Sequence, residues 1–140
     1  MSELAENFNT FKPQVLHVAY HVADIERALG FYVGLLGMKE AMRIPLGKNK
    51  AEVVLQFPES KSAGVVLMWS TDREKTKLIE QGEGYSRFVL RVSDVDASLA
   101  HLVKHHTPVV TEATSIGTFK FAMVKDPDGY VIELIQFLKA

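Results

Sequence analysis

Hydrophobic and polar positions along the chain alternate between a strand pattern and a helix pattern. Residues 15–22 form a run of β-branched and aromatic positions, which predicts a strand. Asp24 follows as the predicted N-cap of a helix, whose apolar residues recur at helical spacing up to Val33, and Gly37 is placed to end it. Three further apolar stretches, at 42–44, 52–57 and 65–69, predict strands that complete this first unit.

The same order of elements then starts again. Residues 87–92 predict a strand, Asp94 an N-cap, and the apolar residues after it a helix. Strands follow at 109–110, 119–124 and 130–137, the last two joined by the tight-turn sequence Asp-Pro-Asp-Gly at 126–129. An offset of 70 residues pairs Asp24 with Asp94 and residues 17–33 with 87–103. Two strand–helix units can align by chance, but here the order of units repeats too. We therefore predict an α+β fold of two tandem βαβββ modules, at about 15–70 and 85–138.

The remaining segments are polar. Thr71 and Glu74 predict a capping box for a short helix that reaches about Gln81. Residues 1–12 lack the basic start and apolar stretch of a secretory signal and are interpreted as a polar lead-in, with one domain at 13–140.

Composition narrows the function. The formal net charge is −1, so we expect neither a nucleic-acid partner nor an anionic membrane partner. Cysteine is absent, which leaves His, Asp and Glu for any metal chemistry. No apolar run approaches the roughly 18 residues that span a bilayer. A cytoplasmic protein is the expectation.

Ionisable residues fall on one side of three predicted strands. Because side chains alternate across a strand, His17 and His21 share a face, as do Arg87 and Arg91, opposite the residues expected to pack on helices. Glu133 lies between two apolar neighbours of its face and therefore needs a cation, a metal or water. An Arg87–Glu133 ion pair is the purely structural alternative, and a hydrogen-bonded structural role is the alternative for His17.

Two segments carry a resemblance to a known family. Leu16-His17 through Leu36-Gly37-Met38 resembles the opening of glyoxalase I, and residues 126–134, which end in Glu133-Leu134, resemble its closing strand. The chain thus resembles the glyoxalase I, bleomycin-resistance and extradiol dioxygenase (vicinal-oxygen-chelate) superfamily. The resemblance implies a mixed sheet that curls into a cup with the helices outside, a small-molecule ligand and a homodimer.

The same resemblance implies four metal ligands, one from the first and one from the fourth strand of each module. His17 matches the first ligand and Glu133 the last, whereas Leu67 and Arg87 fall at the other two positions. Neither of these side chains offers a lone pair to a metal. The sequence therefore specifies no cofactor. A divalent metal (Zn, Ni, Mn or Fe) is expected to bind only weakly, through His17 and Glu133, unless Glu52, a bound ligand or water completes its coordination shell.

Three functions compete. The first is a lyase- or isomerase-like enzyme on a small oxygenated or carbonyl compound, in which His17 or Glu133 acts as base and Arg87 stabilises an enolate. The second is a drug-binding protein of the bleomycin-resistance type. The third, an extradiol-type dioxygenase, needs two histidines and one carboxylate, and Arg87 removes a histidine. We favour the first, because the residues at the metal positions are ionisable rather than uniformly apolar. The expected substrate-binding residues are His21, Trp69, Arg91, Phe121 and Phe137, although core packing explains the aromatic ones equally well.

Overall fold

The computed structural model of the chain describes residues 2–138 and contains two four-stranded sheets. The strands of the first sheet are β1 (His17–His21), β2 (Lys39–Pro45), β3 (Lys50–Gln56) and β4 (Gly64–Ser70). Those of the second are β5 (Phe88–Arg91), β6 (Val109–Ile116), β7 (Phe119–Lys125) and β8 (Val131–Phe137). Their orders are β1-β4-β3-β2 and β5-β8-β7-β6, with β1 parallel to β4 and β5 parallel to β8. The predicted α+β fold with a repeated βαβββ module is confirmed.

Each module carries one helix between its first two strands. Helix α2 (Ile25–Leu29) continues into a π-helical stretch (Gly30–Leu35), and α3 (Val95–Lys104) is its counterpart; a short helix α1 (Glu3–Asn9) precedes both modules. The Asp24 side chain accepts hydrogen bonds from the backbone N–H groups of Glu26 and Arg27. The Asp94 side chain accepts one from Ala97. Both predicted N-caps are confirmed, because each carboxylate satisfies backbone donors that the first helical turn leaves free.

Two local predictions are wrong. Residues 71–81 form turns instead of the predicted helix, because the backbone N–H of Thr71 donates to the carbonyl of Asn49 and holds Thr71 beside β3. The face of β1 opposite His17 was expected to pack on helices; Tyr20 and Val22 do pack in the core, but Leu16 and Val18 are 70% and 51% exposed. Helix α1 lies within the predicted lead-in, and none of its residues is buried.

One hydrophobic core serves both modules. It contains helix residues such as Tyr32 and Leu102 together with strand residues such as Leu67 and Leu134, all at most 2% exposed. The core therefore lies between the helices and one face of each sheet, and burial of this apolar area is the main force that joins the modules. The opposite face of each sheet does not contribute to this core.

The turn at 126–129 also joins the modules. Asp126 accepts a hydrogen bond of 2.6 Å from the Tyr32 hydroxyl, and Asp128 accepts one of 3.0 Å from the backbone N–H of Ala23. Asp126 additionally accepts the N–H of Asp128 and of Tyr130, which closes the turn. Burial raises the pKa of the Asp126 and Asp128 carboxyls above their ordinary range. Buried hydrogen bonds thus fix the start of α2 against the second sheet.

Among the described residues, no helix has both the length and the apolar character needed to cross a membrane.

Candidate functional site

The second sheet brings Arg87 and Glu133 into direct contact. Arg87 directly precedes β5, and its Nε donates to Oε1 of Glu133 at 2.6 Å. The Glu133 side chain is only 8% exposed, whereas that of Arg87 is 42% exposed. A second guanidinium nitrogen, Nη1, donates to the Ser86 hydroxyl at 3.2 Å. The ion pair proposed from the sequence therefore forms, and it neutralises a nearly buried carboxylate.

Three expected substrate-binding residues share the face that carries this pair. Val89 is the β5 partner of Glu133, so Arg91 lies on the same side of the sheet. The Arg91 guanidinium stacks over Phe137 at 4.8 Å from the ring centroid. Phe121 is paired with Ile135, two residues after Glu133, and belongs to this face too. This surface combines two guanidinium groups with aromatic rings, which suits a small anionic or carbonyl compound.

His17 lies in the other sheet. Its Nε2 is buried and has no hydrogen-bond partner within residues 2–138. Gly64 is its neighbour on β4, and a Cβ at Gly64 would come within 3.2 Å of the His17 ring and 2.9 Å of the Gln56 side chain. The Leu55 carbonyl oxygen would lie closer still to that Cβ, at 2.2 Å, so the backbone of β3 is the main reason why this position needs a glycine.

His21 and Trp69 belong to the first sheet, whereas the ion pair belongs to the second. His21 ends β1, and Trp69 occupies the core-packed face of β4 with a buried indole Nε1 that lacks a partner within residues 2–138. Together with Lys50 and Arg73 they line a cavity of about 610 Å³. A second cavity of about 700 Å³ is lined by Arg91 and residues of both modules, but by neither His17 nor Glu133. No contact described within residues 2–138 joins His17 to the Arg87–Glu133 pair.

The sheet registers correct the position assigned to Leu67. Glu133 is the β8 partner of Val89, and the residue 70 positions before Val89 is Ala19, whose β4 partner is Val66. Val66 is therefore the counterpart of Glu133 in the first module. Leu67 is fully buried in the core on the opposite face, so its assignment was wrong. A shift of one residue in a strand moves a side chain to the other face.

These positions do not fit the four-ligand metal site that the resemblance implies. The corrected set is His17, Val66, Arg87 and Glu133, in which a hydrocarbon and a permanent cation replace two donors. Glu133, one of the two remaining donors, is engaged by Arg87. Within residues 2–138 there is no group of three or more His, Asp or Glu side chains arranged to hold a metal ion.

Comparisons with known proteins agree with this architecture. A lactoylglutathione lyase of Escherichia coli O157:H7 is 32% identical over 127 residues, which cover 88% of this chain and 92% of that protein. The trypanothione-dependent glyoxalase I of Leishmania major superposes with a TM-score of 0.75 at 30% identity, covering 89% of this chain and 86% of that one. An antibiotic-binding protein of a Streptomyces species superposes with a TM-score of 0.67 at 28% identity, covering 89% and 96%.

A sequence model described as the Glyoxalase/Bleomycin resistance protein/Dioxygenase superfamily matches residues 14–134. Because that match spans most of the chain and both modules, the resemblance noted in the sequence is confirmed: the chain belongs to the glyoxalase/bleomycin resistance protein/dioxygenase superfamily.

Proposed function

We propose that this chain is a lyase- or isomerase-like enzyme that acts on a small oxygenated or carbonyl compound at the face carrying Arg87 and Glu133. The observation that carries the proposal is the 2.6 Å contact between a nearly buried carboxylate and a guanidinium. It joins a proton acceptor to an oxyanion stabiliser, the two groups that removal of a proton next to a carbonyl requires. The lactoylglutathione lyases among the relatives support the same reaction class.

The proposed reaction requires Glu133 to accept a proton and Arg87 to stabilise an oxyanion. The substrate C–H bond next to the carbonyl breaks, its proton passes to Glu133 and its electron pair forms an enolate. Within the described residues no hydrogen bond engages Oε2 of Glu133 or Nη2 of Arg87, so one atom of each group remains for the substrate. The enolate oxygen then lies against the guanidinium. For a substrate with a hydroxyl on the carbon that lost its proton, Glu133 returns the proton to the former carbonyl carbon and the hydroxyl proton moves to the enolate oxygen, which completes an isomerisation with no net change of atoms.

His17 is the second candidate base. A neutral imidazole whose Nε2 has no hydrogen-bond partner within residues 2–138 can offer that nitrogen as a proton acceptor. Its role requires the first sheet to approach a substrate held by Arg87. The variants Glu133→Gln and His17→Gln separate the two bases, since each keeps a similar shape while removing the proton acceptor.

The test is turnover of an α-ketoaldehyde–thiol adduct by the purified chain, with and without added Zn²⁺ or Ni²⁺. We expect turnover by the wild type, a loss of at least about 100-fold in kcat for the variant that lacks the base, and a similar loss for Arg87→Met. Thermal unfolding of each variant serves as the folding control. No turnover by the folded wild type under either condition contradicts the proposed reaction.

We also propose that two copies of the chain form a homodimer that covers part of the faces opposite the core and leaves the Arg87–Glu133 pair open to substrate. Support comes from apolar side chains on those faces: Met42, Val89 and Phe137 are 56%, 48% and 54% exposed. Large exposed apolar patches typically mark interaction sites. Light scattering coupled to size-exclusion chromatography should give about twice the chain mass of 15.6 kDa. A mass of one chain at micromolar concentration contradicts the dimer.

Sequestration of a ligand without chemistry is a second candidate function. It is favoured by the aromatic side of the same face, where the rings of Phe119 and Phe121 lie 6.2 Å apart and Phe137 stacks under Arg91. The antibiotic-binding Streptomyces protein has a similar fold. Stabilisation of the chain by a planar anionic drug, together with no turnover of carbonyl adducts, would favour this alternative. A cytoplasmic location remains a prediction from the sequence.

A further inference from the structure

We infer that the Arg87 guanidinium is a built-in cation that takes the place of the metal ion in this chain, so that the site binds a substrate oxygen on a guanidinium and has lost stoichiometric affinity for divalent metals. The loss of metal affinity rests on the sheet registers and on family membership, whereas the binding of a substrate oxygen by Arg87 rests on the proposed function. It assigns to this site an anionic or strongly polarised oxygen, such as an enolate or a carboxylate, as its ligand chemistry.

The internal repeat supplies the first step. His17 and Arg87 occupy equivalent positions at the starts of the first strands of the two modules, 70 residues apart. Val66 and Glu133 occupy equivalent positions on the fourth strands, as the registers with β1 and β5 establish. Each module therefore retains one donor and has lost one. The losses are different in kind, because Val66 contributes only hydrocarbon whereas Arg87 contributes a positive charge.

The contact between Arg87 and Glu133 supplies the second step. The guanidinium already provides the carboxylate with a charge-assisted hydrogen bond at 2.6 Å. A divalent ion on the free Oε2 of Glu133 would face the permanent cation that is bonded to Oε1 of the same carboxylate. Arginine cannot relieve this repulsion by losing its proton. His17 would be the one donor left to the ion.

The surroundings of Val66 supply the third step. Val66 is 8% exposed, and its partners across the sheet are Ala19 on β1 and Val54 on β3. None of these side chains can coordinate an ion or hold the water that would complete a weak coordination shell. The first module thus offers His17 on a face whose central positions, Ala19, Val54 and Val66, hold hydrocarbon, which suits binding of the carbon skeleton of a ligand better than binding of a hydrated ion.

A series of variants that restore the missing metal ligands tests the inference. Metal binding is measured in the absence of substrate. Isothermal titration with Zn²⁺ and with Ni²⁺, and elemental analysis after dialysis, are applied to the wild type, Val66→Glu, Arg87→His and the double variant Val66→Glu/Arg87→His. The double variant restores four donors. Val66→Glu is the matched control, since it restores the carboxylate and keeps the cation.

We expect less than about 0.1 ion per chain in the wild type and in Val66→Glu, and about one ion per chain in the double variant, with at least about 100-fold tighter binding. Arg87→His alone should bind at least about tenfold more tightly than the wild type. If the double variant does not fold, as judged by circular dichroism, the comparison of Arg87→His with the wild type decides.

Stoichiometric binding of either metal by the wild type, lost in both His17→Ala and Glu133→Gln, would overturn the inference. Equal metal affinity in Val66→Glu and in the folded double variant would overturn it as well, because the cation would then have no effect. Failure of the proposed reaction looks different: the wild type would bind no metal, the double variant would bind one ion, and neither would turn over the carbonyl adduct.

Discussion

Replacement of Arg87 by Met is expected to destabilise the fold through the carboxylate that it leaves behind. Methionine keeps part of the aliphatic stem and removes the guanidinium that contacts Glu133 at 2.6 Å. A hydrogen bond to a charged group contributes about 1.5–3 kcal/mol, and breaking a fully buried ion pair costs about 3–5 kcal/mol. Because the Arg87 side chain is 42% exposed, water screens part of the loss. We therefore expect a decrease of about 2 kcal/mol in the free energy of unfolding.

Urea unfolding of a double-mutant cycle measures this energy. The four proteins are the wild type, Arg87→Met, Glu133→Gln and the double variant, compared at neutral pH. We expect the double variant to be more stable than Arg87→Met alone, with a coupling energy of about 1–2 kcal/mol between the two positions. Additive effects, with a coupling below about 0.3 kcal/mol, would refute the interpretation that the pair neutralises a buried charge.

Three further predictions concern the framework around the site. Gly64→Ala should lower the free energy of unfolding by about 1–3 kcal/mol, because the new Cβ would lie 2.2 Å from the carbonyl oxygen of Leu55. The control Gly84→Ala should be nearly neutral, because its Cβ would meet nothing within 4 Å. Equal urea midpoints for the two variants would contradict the prediction. Leu67→Ala should cost about 2–5 kcal/mol through a core cavity, and a loss under 1 kcal/mol would mean that Leu67 does not face the core. Burial raises the pKa of Asp126, so the folded state takes up its proton at higher pH than the unfolded state, and this contribution to stability falls as pH rises through the raised pKa. In urea titrations at several pH values, the free energy of unfolding of Asp126→Asn should lose this decrease with rising pH. The same pH profile in the variant and the wild type would contradict the prediction.

Local features of the fold were predictable from the sequence. Asp24 and Asp94 cap helices within three residues of themselves, so their role depends on neighbouring backbone groups alone. The repeat of strand, capped helix and three strands is likewise a property of the pattern along the chain. The helix predicted at 71–81 was wrong for the opposite reason. Thr71 is hydrogen-bonded to Asn49, which is 22 residues away, and no local pattern predicts that contact.

The candidate site was predictable only in part. Arg87 and Glu133 were recognised because charged residues on an otherwise apolar face need partners, and the structure joins them. Val66 was missed because β4 is apolar at almost every position, so the sequence does not reveal which residues face the core. The registers of β4 with β1 and β3 show which of its residues face the core. Local periodicity does not predict how strands distant in sequence pair.

The junction between modules shows the same limit. Residues 126–129 were recognised as a turn from their proline and glycine. Asp126 and Asp128 of this turn also accept hydrogen bonds from Tyr32 and Ala23. These partners are 94 and 105 positions away in the sequence. Short motifs therefore predicted elements, while the contacts that position those elements required the folded chain.

Anomalous diffraction from crystals soaked with Zn²⁺ tests most directly whether Arg87 has taken the place of the metal. The expected result is no anomalous peak within coordination distance of His17 or Glu133, with the Arg87 guanidinium still bonded to Glu133. A peak bound to both His17 and Glu133, with Arg87 turned away from the carboxylate, would contradict it.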